Sequence, residues 1–259
     1  MPSVSTSHPI LKEAVVSAFQ ENGFTILPPL IDSSTLGEIR SVYDQLLAGE
    51  LDTAGSRDSY LGDLTRQLVG PEHCHPLFRD NPAIQAGRAI AAQLFDWEPA
   101  FLYSQLLYKP AGHPHETPWH QDAAYTHMPY SRAGSSIPSV TAQFWLALDD
   151  ADEENGCMHF HPSTQGRVLL PHYVVSGEED NPARLLGLVD ATEHIDPASV
   201  RACPLPAGCA TVHEGWALHY TPANRSDRTR RAYIFNFADR SYVEKTHGRP
   251  VAHRKPEEV

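Results

Sequence analysis

From about residue 100 onward, short apolar or aromatic runs alternate with clusters of turn-forming residues. The runs cover residues 101–108, 140–148, 157–160, 209–213 and 232–237, with Pro, Gly, Asn and Asp between them. Runs of this length, bounded by residues that favour turns, are typical of β-strands rather than helices. A series of such strands is the pattern of an antiparallel sandwich or barrel. The sequence therefore predicts a β core over about residues 100–240.

Helical periodicity dominates the first third of the chain. Apolar residues recur with helical spacing in two stretches, at Leu11, Val15, Ala18 and Phe19 and at Leu36, Ile39, Tyr43 and Leu46. This spacing places each set on one face of a helix. Thr35 and Glu38 have the spacing of a capping box for the second helix. Pro82 is suited to the first turn of a third helix over residues 82–95.

The order of these elements bears on domain organisation. Residues 24–27 predict one short strand inside the helical part, which covers about residues 1–99. No linker-like composition follows that part, so we expect a single domain of residues 1–259 with helices packed outside the β core. Residues 171–199 interrupt the strands with a long, partly acidic connection. Connections of this length are functional lids or disordered segments, and the sequence leaves both open.

The chain is acidic, and no targeting or membrane segment is recognisable. Its formal net charge is −12 over 259 residues, which argues against a nucleic-acid partner because phosphate binding depends on Lys and Arg clusters. We find neither a signal peptide nor an apolar stretch long enough to span a membrane. The four cysteines form no C-x-x-C pair, and we expect reduced thiols. We therefore predict a cytoplasmic protein without a membrane partner, monomeric by default.

Histidines concentrate in the β half of the chain, where they can bind a metal. In an extended segment His120 and Asp122 point to the same face and can share one ion. Two imidazoles and one carboxylate form the ligand set of non-haem Fe(II) oxygenases. The second imidazole must then come from a distant strand. The candidates are His219, which lies 97 residues after Asp122, and His213 just before it.

A cluster of arginines follows His219. Arg230 lies 11 residues beyond this histidine, at the start of the predicted strand over residues 232–237. A guanidinium group there can bind a dicarboxylate in a bidentate manner. Arg228 and Arg231 flank Arg230 and are the alternatives. The β half thus combines a candidate metal site with a candidate carboxylate site.

Four motifs occur together in this half: His120-x-Asp122, Asn155-Gly-Cys-Met158, His219-x-Thr221-x-x-Asn224 and Arg230. In combination they resemble the phytanoyl-CoA dioxygenase family of Fe(II)/2-oxoglutarate oxygenases, over about residues 103–237. The resemblance implies a double-stranded β-helix (jelly-roll) core with flanking N-terminal helices. It implies that His120, Asp122 and His219 bind Fe(II), with 2-oxoglutarate and O2 as cosubstrates. In this register His219 is preferred over His213, and Arg230 over its neighbours.

The resemblance also implies roles for residues around the metal. Arg230 would form a salt bridge with the distal carboxylate of 2-oxoglutarate, with Thr221 beside it and with Gln105 and Trp145 lining the pocket. One departure is the turn at residues 161–165, which reads His-Pro-Ser-Thr-Gln where many members have Pro-Gly-Ser-His. This change bears on substrate specificity and leaves the metal ligands intact. Because Asp122 is a carboxylate and not a small residue, hydroxylation is favoured over halogenation.

We expect the substrate to be a small organic molecule, such as a secondary metabolite or an amino-acid derivative, whose C–H bond is oxidised with release of succinate and CO2. The net charge of −12 argues against a CoA thioester, whose phosphates would require a basic cleft. The candidate substrate contacts are Tyr125, His127, Met128, Arg132 and His159. The connection over residues 171–199 is a candidate lid above them.

Two other functions are compatible with the same residues. His113, His115 and Glu116 could form the metal set of a cupin-type dioxygenase or isomerase that does not use 2-oxoglutarate. Repeated prolines make that stretch a loop rather than a ladder strand, which weighs against it. The second alternative is a metal-binding scaffold without turnover. The presence of all three candidate ligands together with Arg230 weighs against this second alternative.

Overall fold

Two antiparallel β-sheets form the centre of the computed structural model, which describes residues 10–62, 65–127, 140–162, 168–178, 181 and 183–246. The helices are α1 Glu13–Asn22, α2 Ser33–Ala48, α3 Pro82–Leu94, α4 Asp122–His127, α5 Ala191–His194 and α6 Arg240–Thr246. The strands are β1 Phe24–Leu27, β2 Arg57–Leu61, β3 Thr65–Val69, β4 Pro99–Lys109, β5 Thr117–His120, β6 Thr141–Ala147, β7 Met158–His161, β8 His172–Val174, β9 Leu186–Leu188, β10 Arg201–Cys203, β11 Ala210–Glu214, β12 Leu218–Thr221 and β13 Arg230–Asp239.

The chain alternates between the two sheets. The larger sheet has the strand order β1-β11-β6-β13-β4-β3-β2, and the smaller sheet has the order β10-β7-β12-β5. Consecutive strands from β4 to β7 and from β10 to β13 therefore lie in opposite sheets, which is the connectivity of a jelly roll. Strands β8 and β9 form a separate hairpin, and the described sheets do not close into one barrel. The predicted mainly β, jelly-roll fold is confirmed.

The larger sheet is covered on both faces. Along β6, Phe144 packs with the helices in one buried cluster, whereas Trp145 belongs to a second cluster between the sheets. Side chains alternate between the faces of a strand, so both faces of β6 must be apolar. The first cluster includes Phe19, Ile39 and Ile90 from α1, α2 and α3. The helices thus pack outside the β core, and the space between the sheets is left for the site.

Most predicted boundaries agree with the structure. The five predicted strands of the β half correspond to β4, β6, β7, β11 and β13, each within two residues at either end. In the first third, α1 ends at Asn22 because Gly23 adopts φ +78°, a left-handed conformation that glycine accepts readily. The predicted short strand matches β1, and the third predicted helix matches α3.

Two expectations for the first third are wrong. The cap of α2 is Asp32, whose carboxylate accepts a hydrogen bond from the Thr35 backbone N–H at 2.8 Å. Thr35 therefore lies inside the first turn and forms no capping box. In addition, β2 and β3 form a hairpin, and β3 pairs with β4 in the larger sheet. The sequence predicts only one strand, residues 24–27, in this part of the chain. The β2 and β3 sequences, RDSYL and TRQLV, are too polar for an apolar pattern to reveal them.

The connection over residues 171–199 is structured where it is described. It contains the β8–β9 hairpin and α5. The Leu186 backbone N–H donates to the Tyr125 hydroxyl at 3.1 Å, and the Gly62 N–H donates to the Ala183 carbonyl at 2.8 Å. These two bonds attach the connection to α4 and to the end of β2.

No helix in the described ranges has the length and apolar character required to cross a bilayer. The cysteines are all free, at Cys74, Cys157, Cys203 and Cys209. Burial raises the pKa of the Cys157 thiol to about 11 and that of Cys203 to about 12. Both thiols are therefore protonated at neutral pH and unreactive.

Replacing Gly156 with alanine is expected to destabilise the protein by about 1–3 kcal/mol, because the residue has φ +98° and a Cβ there would lie 2.7 Å from the Pro222 carbonyl oxygen. The matched control is Gly37→Ala in α2, where a Cβ meets nothing within 4 Å and a helix favours alanine. Thermal unfolding should show a lower Tm for the first variant and an equal or higher Tm for the second. Equal Tm values would contradict a tight turn at Gly156.

Candidate metal centre and active-site cavity

Three potential metal ligands converge at the edge of the smaller sheet. His120 on β5 and His219 on β12 are direct partners in the antiparallel register, and Asp122 is the first residue of α4. Each Nε2 atom of the two histidines lies 3.6 Å from the Asp122 Oδ1 atom. All three ligand atoms lie within 4.8 Å of one another.

Asp122 reaches this position by a different route from the predicted one. Strand β5 ends at His120, so Asp122 is not placed there by the alternation of an extended segment. Gln121 turns into the protein, where its amide donates to the Trp216 and Val168 carbonyls, each at 3.0 Å. The Ala123 N–H donates to the Gly215 carbonyl at 2.8 Å. These bonds fix the start of α4 and direct the carboxylate towards the two imidazoles.

Backbone carbonyls orient both imidazoles. The His120 Nδ1 atom lies 2.7 Å from the Pro118 carbonyl oxygen, and the His219 Nδ1 atom lies 2.9 Å from the Ala217 carbonyl oxygen. Because a carbonyl accepts only, each Nδ1 carries the proton and each Nε2 keeps its lone pair. Both lone pairs thus lie on the nitrogens that face Asp122, as metal ligation requires.

His213 contacts the second oxygen of the Asp122 carboxylate, Oδ2. Its Nε2 atom lies 3.1 Å from the Asp122 Oδ2 atom and 3.2 Å from the Gln143 side-chain nitrogen. It is fully buried and lies outside the group of three. From the sequence, His213 is only a rival ligand, whereas in the structure it lies where it can hold Asp122 in place.

The electrostatic environment keeps these groups in their metal-binding forms. Burial lowers the pKa of His219 well below its usual value, and His120 lowers it further. Burial by itself would raise the pKa of Asp122, but His219, His120 and His213 outweigh it and hold this pKa well below the usual value. The site therefore favours a neutral His219 imidazole and an ionised Asp122 carboxylate, which are the forms that coordinate a metal.

A cavity of about 320 Å³ opens beside the three residues, which all contribute to its lining. Its apolar wall consists of Leu61, Val69, Leu102, Leu107, Met158 and Ile234. Four of the residues predicted to surround the metal also line it: Thr221, Gln105, Trp145 and Tyr125. The Tyr125 ring meets the His120 ring edge-on, with centroids 5.7 Å apart.

Arg230 is fully buried and lies behind the cavity wall. Its guanidinium carbon is 5.2 Å from the Trp145 ring centroid, and none of its three side-chain nitrogens has a hydrogen-bond partner. Burial lowers its pKa to about 10, so it remains a cation. Its alternatives are engaged elsewhere: Arg228 pairs with Asp152 and Arg231 with Asp149.

Lys109 is a second buried basic side chain at this end of the site, and sequence reasoning missed it. It is the register partner of Arg230. Its Nζ atom donates to the Pro222 carbonyl at 2.8 Å and to the Thr221 hydroxyl at 3.1 Å. Burial, followed by Arg230, lowers its pKa well below the usual value. The signal was a lysine at an inward position of β4, four residues after Gln105, which lines the cavity.

Of the other candidate substrate contacts, only the side chain of His159 is described. His159 does not line the cavity, because on β7 it is Met158 that faces inward. His159 instead contacts the Tyr220 ring, with centroids 5.7 Å apart. Met128 and Arg132 lie outside the described residues, as does the side chain of His127.

The alternative metal set is not assembled. The His113 Nε2 atom lies 2.9 Å from the Thr65 hydroxyl, and Glu116 accepts a hydrogen bond from the Tyr220 hydroxyl at 3.0 Å. Within the described part of the chain, His120, Asp122 and His219 are the group whose ligand atoms come together, and His113, His115 and Glu116 form none.

Known proteins share both the sequence pattern and the fold. The phytanoyl-CoA dioxygenase (PhyH) family matches residues 19–232. The chain is similar to the crystal structure of EvdO2 from Micromonospora carbonacea var. aurantiaca, with 30% identity and a TM-score of 0.72 over 89% of this chain and 92% of that one. The same protein crystallised with 2-oxoglutarate gives 31% identity and a TM-score of 0.71.

Curated relatives extend the similarity to animals. Phytanoyl-CoA dioxygenase domain-containing protein 1 of Mus musculus is 27% identical over 88% of this chain and 90% of its own length. The corresponding protein of Danio rerio is 28% identical over 63% of this chain, and the match spans about half, 53%, of that relative. The family match covers most of the cavity lining and all three converging side chains. The chain belongs to the phytanoyl-CoA dioxygenase (PhyH) family.

Proposed function

We propose that the protein is an Fe(II)- and 2-oxoglutarate-dependent dioxygenase that hydroxylates a C–H bond of a small organic molecule. The observation that carries this proposal is the fully buried Arg230, whose guanidinium nitrogens have no hydrogen-bond partner. It lies against Trp145, which lines the same cavity as His120, Asp122 and His219. A buried charge is costly unless an opposite charge pairs with it. A bound anion would supply the partner that Arg230 lacks, and the three converging side chains would hold a metal in the same site.

The three candidate ligands fit an iron ion. Nitrogen and oxygen ligands about 2.0–2.2 Å from a first-row metal are separated from one another by about 3–4 Å. The two N–O separations of 3.6 Å fall in this range. Two imidazoles and one carboxylate are the ligand set of non-haem Fe(II) oxygenases. His120, Asp122 and His219 would therefore hold Fe(II) and leave room for cosubstrate and O2.

The other end of the site fits the distal carboxylate of 2-oxoglutarate. Arg230 offers an unpaired guanidinium group, and the Lys109 amine is a second nitrogen donor on the neighbouring strand. Thr221 lines the cavity and also contacts Lys109, so it connects the cavity with these basic side chains. A carboxylate bound here would neutralise the charge that burial now penalises. EvdO2, which has been crystallised with 2-oxoglutarate, supports this assignment.

The residues of this chain bind, orient and protect the reacting groups. Iron with 2-oxoglutarate and O2 supplies the oxidising chemistry, with succinate and CO2 as by-products. His120 and His219 present neutral nitrogens, and His213 holds Asp122 by its second oxygen. The apolar wall excludes water from the space in which a substrate C–H bond would lie. Trp145 and Gln105 would bound the cosubstrate.

We propose further that residues 1–259 form a single domain that acts as a monomer. Its substrate would be a small molecule, and a secondary metabolite or amino-acid derivative is favoured. The N-terminal strands β1, β2 and β3 are part of the larger sheet, and α1, α2 and α3 share one buried cluster with it. Separating the helical part would therefore expose the core of the sheet.

Anaerobic addition of Fe(II) and 2-oxoglutarate is expected to produce a metal-to-ligand absorption band in the visible, because both would bind in one site. Admission of O2 with a coupled substrate should then release succinate in proportion to oxidised product. A protein that binds Fe(II) without producing the band on addition of 2-oxoglutarate would instead support a cupin-type enzyme. A band without succinate formation, after a substrate screen, would support a scaffold that has lost turnover.

A further inference from the structure

Two arginines line the active-site cavity without an acidic partner. Arg57 on β2 and Arg184 in the connection before β9 both contribute to the lining. The Arg57 Nε atom is fully buried and has no hydrogen-bond partner. Within the described ranges, neither guanidinium group forms an ion pair, although the chain has a net charge of −12. The absence of pairing in so acidic a chain sets these two residues apart.

Six described arginines are buried or half-buried: Arg40, Arg57, Arg66, Arg184, Arg230 and Arg231. Three of them have aspartate partners, Arg40 and Arg231 with Asp149 and Arg66 with Asp58. The three without an acidic partner are the pair on the cavity wall and Arg230 behind it. Among the buried and half-buried arginines that the structure describes, those without an acidic partner thus all lie at the site.

The backbone holds Arg57 and Arg184 on the same side of the cavity. In the register of the larger sheet, Arg57 lies opposite Val69, which lies opposite Gln105, and all three residues line the cavity. The carbonyl of Ala183, the residue before Arg184, accepts the hydrogen bond from the end of β2. The carbonyl of Leu185 accepts another from the Val175 N–H at 2.9 Å.

This pair is separate from the basic side chains at the proposed 2-oxoglutarate site. Arg230 is on β13, opposite Lys109, whereas Arg57 is three strands away and level with Gln105. With strand spacing of about 4.8 Å and a rise of about 3.3 Å per residue, the two arginine backbones lie roughly 20 Å apart. The cavity therefore has two basic ends, and one 2-oxoglutarate molecule accounts for only one of them.

The proximity of the two arginines is unfavourable without an anion. Burial lowers the pKa of Arg57, and the charge of Arg184 lowers it further. Tyr103 lines the cavity beside them, and burial raises the pKa of its hydroxyl, so it remains a neutral hydrogen-bond donor. Two guanidinium groups offer donors only and the phenol can donate its O–H, which matches the acceptor oxygens of an oxyanion.

We propose that Arg57 and Arg184 bind an oxyanion of the substrate, a carboxylate or a phosphate ester, and so determine which molecule is oxidised. The apolar body of this substrate would extend along Leu61 and Val69 towards His120 and Asp122. This inference rests on the proposed function, which supplies the reaction, and it adds the class of substrate that the enzyme oxidises. An acidic substrate is selected locally, in spite of the overall charge of the chain.

The test compares one apolar group bearing three different ends: phenylacetate, phenyl phosphate and the neutral phenylacetamide. Each is titrated by calorimetry into the metal-free protein and into the anaerobic protein saturated with Fe(II) and 2-oxoglutarate. The variants are Arg57→Gln/Arg184→Gln and a control that removes the same charge from the exposed surface, Arg79→Gln/Arg88→Gln. A third variant, Arg230→Gln, reports binding at the other basic end.

In the wild-type protein, at least one acid is expected to bind about ten- to a hundredfold more tightly than the amide, since each charge-assisted hydrogen bond contributes strongly. The double variant in the cavity should lose this preference, and the surface double variant should keep it. The acid that binds more tightly identifies carboxylate or phosphate as the natural group.

Three results would overturn the inference: no preference for either acid in the wild type, a preference retained in Arg57→Gln/Arg184→Gln, or a preference lost only in Arg230→Gln. The visible absorption band with Fe(II) and 2-oxoglutarate is recorded on the same samples. If the band is absent while the acid preference depends on Arg57 and Arg184, the proposed function fails and the anion site stands. If the band is present without an acid preference, the anion site fails and the proposed function stands.

Discussion

Replacing His219 with alanine is expected to abolish the visible band of the Fe(II)–2-oxoglutarate complex and to reduce metal affinity by more than about a hundredfold. Loss of an outer-shell partner of a ligand costs about 10–100-fold, and loss of a ligand itself costs more. His219 is buried, its orientation is fixed by the Ala217 carbonyl, and its Nε2 atom lies 3.6 Å from Asp122 Oδ1. No other described histidine is held in that place.

The control for this variant is His161→Gln, on the neighbouring strand β7. Residue 161 pairs with Leu218 in the sheet, next to His219, but its Nε2 atom accepts a hydrogen bond from the Asp196 N–H at 3.2 Å. The control should retain both the band and metal affinity, measured by anaerobic titration with Fe(II). A His219→Ala protein that keeps the band would mean that His213 or another group binds the metal instead.

The metal site could be inferred from the sequence because spacing carries the information. His120 and Asp122 are neighbours in the chain, and His219 is identified by its position relative to Thr221 and Arg230. The physical reason given for their proximity was nevertheless incomplete. Asp122 follows the end of a strand, and its direction depends on the buried contacts of Gln121, which no local pattern of hydrophobicity reveals.

The strands of the β half were also predictable, since burial on both faces gives β6 and β13 long apolar stretches. The β2–β3 hairpin was not, because polar residues on an edge of the sheet leave no apolar alternation. This hairpin carries Arg57, which meets Arg184 from a segment more than a hundred residues later only through long-range packing. The metal ligands are therefore marked by short motifs around His120 and His219, whereas Arg57 and Arg184, proposed to select the substrate, belong to no such motif.

Replacing Arg230 with methionine is expected to weaken 2-oxoglutarate binding by about 2–5 kcal/mol, which raises the Kd roughly thirty- to several-thousandfold. A loss of this size is typical when one partner of a buried charge pair is removed. The rise in Kd is measured from the visible band as 2-oxoglutarate is titrated at saturating Fe(II). Arg231→Met is the control, because this neighbour points towards Asp44 and Asp149 and should leave the Kd unchanged.

The stability of the metal-free protein separates a binding role of Arg230 from a structural one. Burial lowers the pKa of Arg230 from 12.5 to about 10, so the folded state holds this proton less tightly than the unfolded state. At every pH below about 10 the charge then destabilises the fold, by roughly 3 kcal/mol at neutral pH. An apolar side chain of similar length removes that cost, as replacing buried charges often does. Arg230→Met should therefore equal or exceed the wild type in Tm without ligand while losing 2-oxoglutarate affinity, and a lower Tm with unchanged affinity would assign Arg230 to the core and not to the site.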